Sequence, residues 1–171
     1  MKKRIVLPIF LLLLLLSACS TDSTPDSVTE DKDKFTAVKQ IEESDFELRL
    51  VVDRIKEEDN TFTLEAGIRY TGDQPEVKIM HGDPLFLAIL TIDGEEIGGP
   101  FGVNTIGIYT PLIADEWHTE TISLQSSKTQ IKQFYEKGGD ITLHAGFSAD
   151  GYKQEELENA IVSLTSENLL P

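Results

Sequence analysis

Cysteine and basic side chains are scarce in this chain of 171 residues. It has one cysteine, Cys19, and 15 Lys and Arg residues against 30 Asp and Glu residues, for a formal net charge of −15. A single thiol excludes an intramolecular disulfide and a zinc site built from cysteines. The negative charge makes nucleic acids and anionic lipid surfaces poor partners.

Spacings typical of common catalytic and cofactor sites are also missing. The sequence has no Gly-x-Ser-x-Gly elbow, no Ser-x-x-Lys beside a plausible partner, and no glycine loop that would cradle a phosphate. We therefore predict that the protein is not an enzyme and needs no cofactor.

A long apolar run occurs only near the N-terminus, from Ile5 to Leu16, where Pro8 alone interrupts it. Lys2, Lys3 and Arg4 precede the run, and small residues follow it, which is the pattern of an export signal. The run has 12 residues, whereas a membrane-spanning helix needs roughly 20. Residues 1–18 are therefore predicted to be a signal peptide that is removed.

The residues at the predicted cut, Leu16-Ser17-Ala18-Cys19, resemble the lipobox of bacterial lipoprotein precursors. The resemblance implies lipidation of the Cys19 thiol (diacylglycerol and fatty acids such as palmitate) and anchoring to the extracytoplasmic face of the cell membrane. The alternative is an ordinary secretory signal with Cys19 near the cut by chance. We favour lipidation because it gives the single cysteine a role.

The segment after Cys19 is polar. Residues 20–34 contain one aliphatic residue, Val28, and no aromatic residue, so they bury too little apolar surface to offset their ordering entropy. We predict a disordered, lipid-anchored tether over residues 19–44, followed by a single domain over residues 45–171.

Apolar residues of the predicted domain alternate with polar ones, as in half-buried strands. The helix candidate begins at Ser127, whose spacing to Gln130 is that of a capping box, and ends at Gly138. The predicted fold class is mostly β, an antiparallel immunoglobulin-like β-sandwich of about 7–8 strands with one short helix. The strands are expected near residues 46–52, 62–70, 76–81, 85–92, 105–110, 116–124, 141–147 and 160–164, with a tight turn at Asp93-Gly94 leading into Glu95-Glu96-Ile97.

Turn motifs in this order are similar to those of the BsuPI-type domain, named for an intracellular proteinase inhibitor. They are Tyr70-Thr71-Gly72-Asp73-Gln74-Pro75-Glu76-Val77, Asp93-Gly94-Glu95-Glu96-Ile97, Leu112 with Asp115-Glu116, and Gly139-Asp140-Ile141-Thr142-Leu143. The resemblance covers roughly residues 62–164. It implies an immunoglobulin-like fold and, as an alternative function, regulation of a protease.

Three histidines and three acidic clusters are the candidate metal ligands. His81, His118 and His144 lack a metal-site spacing, and outward-facing surface histidines are the favoured interpretation. The clusters 57–59, 95–96 and 115–116 lack the alternating ligands and turn glycine of a calcium loop, which favours solvated turns. We therefore predict no metal site.

Residues 98–111 carry no charge, inside a longer stretch from Ile79 to Ser127 without Lys or Arg. One interpretation is an exposed recognition loop that presents Phe101, Val103, Asn104 and Tyr109. The other, which we favour, is an irregular core strand whose glycines mark bulges.

These observations predict a membrane-anchored binding module whose partner is an envelope or extracellular protein. Protease regulation is the alternative function, and a metal-binding role comes after it.

Overall fold

A computed structural model describes residues 22–56, 59–97 and 102–169. The described residues form ten β-strands and two helices. The elements are β1 (Ser27–Asp31), β2 (Lys34–Gln40), β3 (Phe46–Asp53), β4 (Thr61–Tyr70), β5 (Glu76–Ile92), β6 (Glu95–Ile97), β7 (Asn104–Ile113), β8 (Trp117–Gln125), α1 (Lys128–Lys137), β9 (Gly139–Ala149), α2 (Gln154–Leu157) and β10 (Ile161–Thr165).

Two antiparallel sheets pack face to face. The first sheet has the order β1-β2-β3-β4-β8, and the second has the order β10-β9-β5, with β6 and β7 both paired to β5. The prediction of a mostly β, antiparallel sandwich is confirmed. The predicted number of strands was too low, because β1 and β2 lie in the segment that we expected to be a tether.

The core comes from the alternation seen in the sequence. Phe46, Leu48, Leu50 and Val52 of β3 are buried, and so are the alternating apolar residues of β4 and β9. Strands β3 and β4, which cover the two predicted strands near residues 46–52 and 62–70, pair with each other in antiparallel register. A second, four-residue helix, α2, was not predicted; its Leu157 is buried.

Helix α1 begins where the capping box predicted. The Ser127 hydroxyl accepts from the backbone N–H of Gln130 at 3.2 Å, and the Gln130 side chain accepts from the backbone N–H of Ser127 at 2.9 Å. Gly138 follows the helix with φ 78°, a left-handed value that favours glycine. Ile131 and Phe134 attach the helix to the core.

Strand β5 is longer than predicted. We expected two strands separated at Gly82-Asp83-Pro84, but a single strand of 17 residues runs through this point. Its pairing with β9 shifts register between His81 and Phe86. The turn residues therefore produce an irregularity within one strand and do not end it.

The predicted tether was wrong from residue 22 onward. Strand β2 pairs with β3 along seven residues, and β1 pairs with β2. Phe35, Ala37 and Ile41 are buried in the core. Polar composition misled the prediction, since β1 is exposed throughout and Lys39 occupies a core-facing position of β2.

Residues 22–26, which we call the N-terminal strap, close one side of the sandwich. The buried Lys39 ammonium donates to the carbonyls of Asp22 at 2.6 Å and Thr24 at 3.1 Å. The Ser163 N–H of β10 donates to the Ser23 carbonyl at 2.9 Å. The strap therefore joins the edge of one sheet to the edge of the other.

The lipobox residues and Cys19 lie outside the described residues. Within the described ranges, no helix combines the length and apolar character needed to cross a bilayer.

We expect Lys39→Ala to lower the free energy of unfolding by about 2 kcal/mol, because it removes the charged hydrogen bonds that join the buried Lys39 ammonium to the strap. Urea denaturation of the purified protein measures the change. Lys34→Ala is the matched control: Lys34 pairs with Asp53 at 3.5 Å on the surface, where an ion pair contributes roughly 0–1 kcal/mol. Equal losses in the two variants would contradict a stabilising role of the strap.

Candidate functional site

Large apolar side chains are exposed mainly on one part of the molecule. Seven such residues are exposed among those described, and all but Val28 lie on β5, on β7 or directly before β7. We call these six residues the β7 surface. They are Met80, Val103, Ile106, Ile108, Tyr109 and Ile113, with Ile106 65% and Tyr109 69% exposed.

The position of β7 in the sheet explains this exposure. Among the described strands it pairs only with β5, and Leu112 is its one buried residue. The register places Tyr109 opposite Met80, so these two side chains share the outer face of the second sheet.

A bulge then displaces the start of β7. His81 pairs with Ile108 but Asp83 pairs with Asn104, so two steps along β5 correspond to four along β7. Residues 105–107 leave the regular ladder, and Ile106 projects into solvent.

The two interpretations of residues 98–111 can now be compared with the structure for residues 102–111. A core strand is wrong: the segment is a strand, but an exposed one at a sheet edge. Of the predicted recognition residues, Val103, Asn104 and Tyr109 are exposed. Phe101 lies outside the described residues. Recognition by this segment stays a prediction.

Two open hollows lie beside the β7 surface, one on each side of Val103. The first, of about 320 Å³, is lined by Met80, Gly107 and Ser148 among others. The second, of about 290 Å³, lies among Leu85, Leu87 and His144. Both share Gly146, Phe147 and Gln154.

Gly146 keeps the floor of both hollows open. A Cβ atom built on Gly146 would meet no atom within 4 Å. A larger side chain at this position would therefore fill the hollow without entering the core. No sequence pattern could reveal this site, because its lining residues come from four separate parts of the chain.

Charge is divided unequally between the sheets. The strands of the second sheet contain one basic residue, Lys78. The first sheet contains the ion pairs Lys34–Asp53, Arg49–Glu65 and Arg69–Glu47. The second sheet thus combines apolar and acidic groups, whereas the first pairs three of its acidic side chains with basic ones.

Trp117, on the surface of the first sheet, is covered by two arginine side chains. The guanidinium carbons of Arg49 and Arg69 lie 4.5 Å and 4.7 Å from the Trp117 ring centre. Gly67 leaves room for the indole, since a Cβ there would lie 3.1 Å from the Trp117 ring. Because both arginines stack on the ring, Trp117 is not a free binding platform.

The histidines do not form a joint site. His81 is buried, with Nδ1 hydrogen-bonded to the Gly82 carbonyl at 2.5 Å and Nε2 hydrogen-bonded to the Thr110 hydroxyl at 2.8 Å. The interpretation as an outward-facing surface histidine is therefore wrong for His81. On β8, the Nε2 atom of His118 lies 3.8 Å from the Oε1 atom of Glu120. His144 lines the second hollow.

Within the described residues, no group of three or more His, Cys, Asp or Glu side chains is arranged to hold a metal. Glu95, Glu96, Asp115 and Glu116 are exposed, which agrees with solvated acidic clusters. Glu57 and Glu58 lie outside the described residues.

His144 is the titratable group of the second hollow. Burial lowers the pKa of its imidazole, and the nearby Glu96 carboxylate opposes this by raising it. The ring is half-buried on the outer face, opposite Leu87 of β5.

Comparison with known proteins gave no relative: no family model matches the sequence, and no curated protein shows significant similarity to it. The candidate site therefore rests on the geometry and charge of the described residues.

We expect the folded state to lose stability as the pH falls through the lowered pKa of His144. The neutral ring is favoured in the fold, so this contribution is present above the ordinary histidine pKa and is lost below the folded one. His144→Gln should flatten that part of a plot of unfolding free energy against pH. An unchanged plot, or an NMR titration with a raised pKa, would contradict the assignment.

Proposed function

We propose that the protein is a membrane-anchored, extracytoplasmic lipoprotein that binds another protein. The single observation that carries the proposal is the β7 surface. Six exposed apolar residues lie on or beside one edge strand of a domain from a chain in which 26% of residues are charged. Single apolar residues scattered over a protein surface are normal, whereas a group of exposed apolar residues in one region marks a contact site.

The shape of the site also supports a protein as the ligand. The hollows are open, and the volume of each is near the lower end of the range of roughly 300–1,000 Å³ that is typical of pockets for drug-sized ligands. An exposed strand with shallow hollows beside it suits a broad contact in which side chains of the partner enter the hollows.

The lipid anchor belongs to the same proposal. The lipobox resemblance places the modified residue at Cys19, three positions before Asp22, where the strap begins. Two or more acyl chains hold a domain at a bilayer far more firmly than one. A binding domain at the cell surface would then meet partners in the envelope or outside it.

We expect cell-surface cross-linking with the full chain to capture a partner that the double variant Ile106→Ser, Tyr109→Ser captures at least about tenfold less. The two substitutions remove the most exposed apolar groups of the β7 surface, and truncation of central contact residues is costly. Mass spectrometry of the cross-linked products measures the loss.

Val28→Ser is the matched control, since Val28 is exposed and apolar but lies on β1. It should capture the partner as wild type does. Identical products from the wild-type chain and the double variant would show that the β7 surface is not the binding site.

A further inference from the structure

We infer that the partner contributes a bulky apolar side chain flanked by basic residues, and that this side chain enters the hollows beside Gly146. The inference rests on the proposed function and names the chemistry of the partner. It follows from how the edge of β7, the hollows and the surrounding charges are arranged.

The free edge of β7 is poorly suited to adding a strand from another chain. The bulge at residues 105–107 breaks its regular ladder, and Pro111 lacks the N–H that a pairing strand would use. Bulges and prolines are two of the devices that protect sheet edges from pairing. The partner therefore binds through side chains on the face rather than through a shared ladder.

The hollows provide the apolar contact. Leu85, Leu87, Ala145 and Phe147 line the second one, and Val103 separates it from the first. Most of the surface that lines the two hollows is apolar, so an aromatic or long aliphatic side chain fits them better than a charged one.

The charges around the hollows determine which residues of the partner can flank its apolar side chain. Glu158 lines the second hollow, Asp83 adjoins it on β5, and Glu96 lies close enough to act on His144. None of these three carboxylates belongs to an ion pair within the described residues. Lys or Arg side chains of the partner complement them.

A second copy of this chain does not meet these requirements. It would bring the same acidic rim against itself, on a chain with a net charge of −15, and like charges repel across an interface. A partner with a basic and apolar segment is attracted by the same rim.

The test uses fluorescently labelled peptides and the full chain in detergent micelles, with binding followed by fluorescence anisotropy. The probe is the peptide Lys-Lys-Phe-Lys-Lys. One control peptide replaces Phe with Ser, and the other replaces each Lys with Glu. We expect the probe to bind at least about tenfold more tightly than either control, with an affinity that falls as salt rises.

Three variants locate the contact. Gly146→Leu should weaken binding of the probe by about tenfold or more while leaving the melting temperature unchanged, because its side chain fills an open hollow. Glu158→Gln should weaken binding and reduce the salt dependence. Glu42→Gln, at an exposed position in the turn after β2, is the matched charge control and should bind as wild type does.

Equal binding of all three peptides, no binding of the probe, or unchanged binding by Gly146→Leu would overturn the inference. Failure here is separable from failure of the proposed function. If cross-linking captures a partner through the β7 surface but the probe does not bind, the protein is a binding module with a partner of different chemistry. If the probe binds as expected but cells yield no partner, the proposed function fails.

Discussion

The hydrogen-bonded ladder along β5 is the constraint on which both the fold and the candidate site depend. This strand pairs with β9 on one side, and with β7 and then β6 on the other. Its register must shift between His81 and Phe86 to serve these neighbours. The same part of β5 has a second irregularity, against β7, between His81 and Asp83, and both hollows lie beside it. The irregularity of one strand therefore creates the surface that we propose for binding.

Much of the fold could be predicted from the sequence, because period-two burial depends on local alternation. Strands β3, β4 and β9 and the capped start of α1 followed directly from it. Strand β2 escaped prediction because Lys39 stands where an apolar residue would have completed the pattern after Phe35 and Ala37. A buried lysine is recognisable only once its acceptors, the carbonyls of Asp22 and Thr24, are known.

The candidate site was harder to predict than the fold. The uncharged segment 98–111 drew attention to β7, but its composition suits a core strand as well as an exposed one. The choice depends on whether another strand covers it, which is a property of topology. The hollows were beyond prediction for the same reason, since Gly146 and Glu158 approach Val103 only through the pairing of β5 with both β7 and β9.

The strap also determines how the domain would stand on a membrane. It lies along the outer edge of β10, whereas β7 lies on the far side of β9 and β5, about 20 Å away at the usual spacing of strands. Asp22 is three positions after Cys19 in the sequence, a reach of at most about 10 Å. A lipid on Cys19 would hold the side of the domain that carries the strap close to the bilayer. The β7 surface would then face away from the bilayer. With the lipid that we propose on Cys19, the contacts of Lys39 with the strap would set how the domain is oriented at the bilayer.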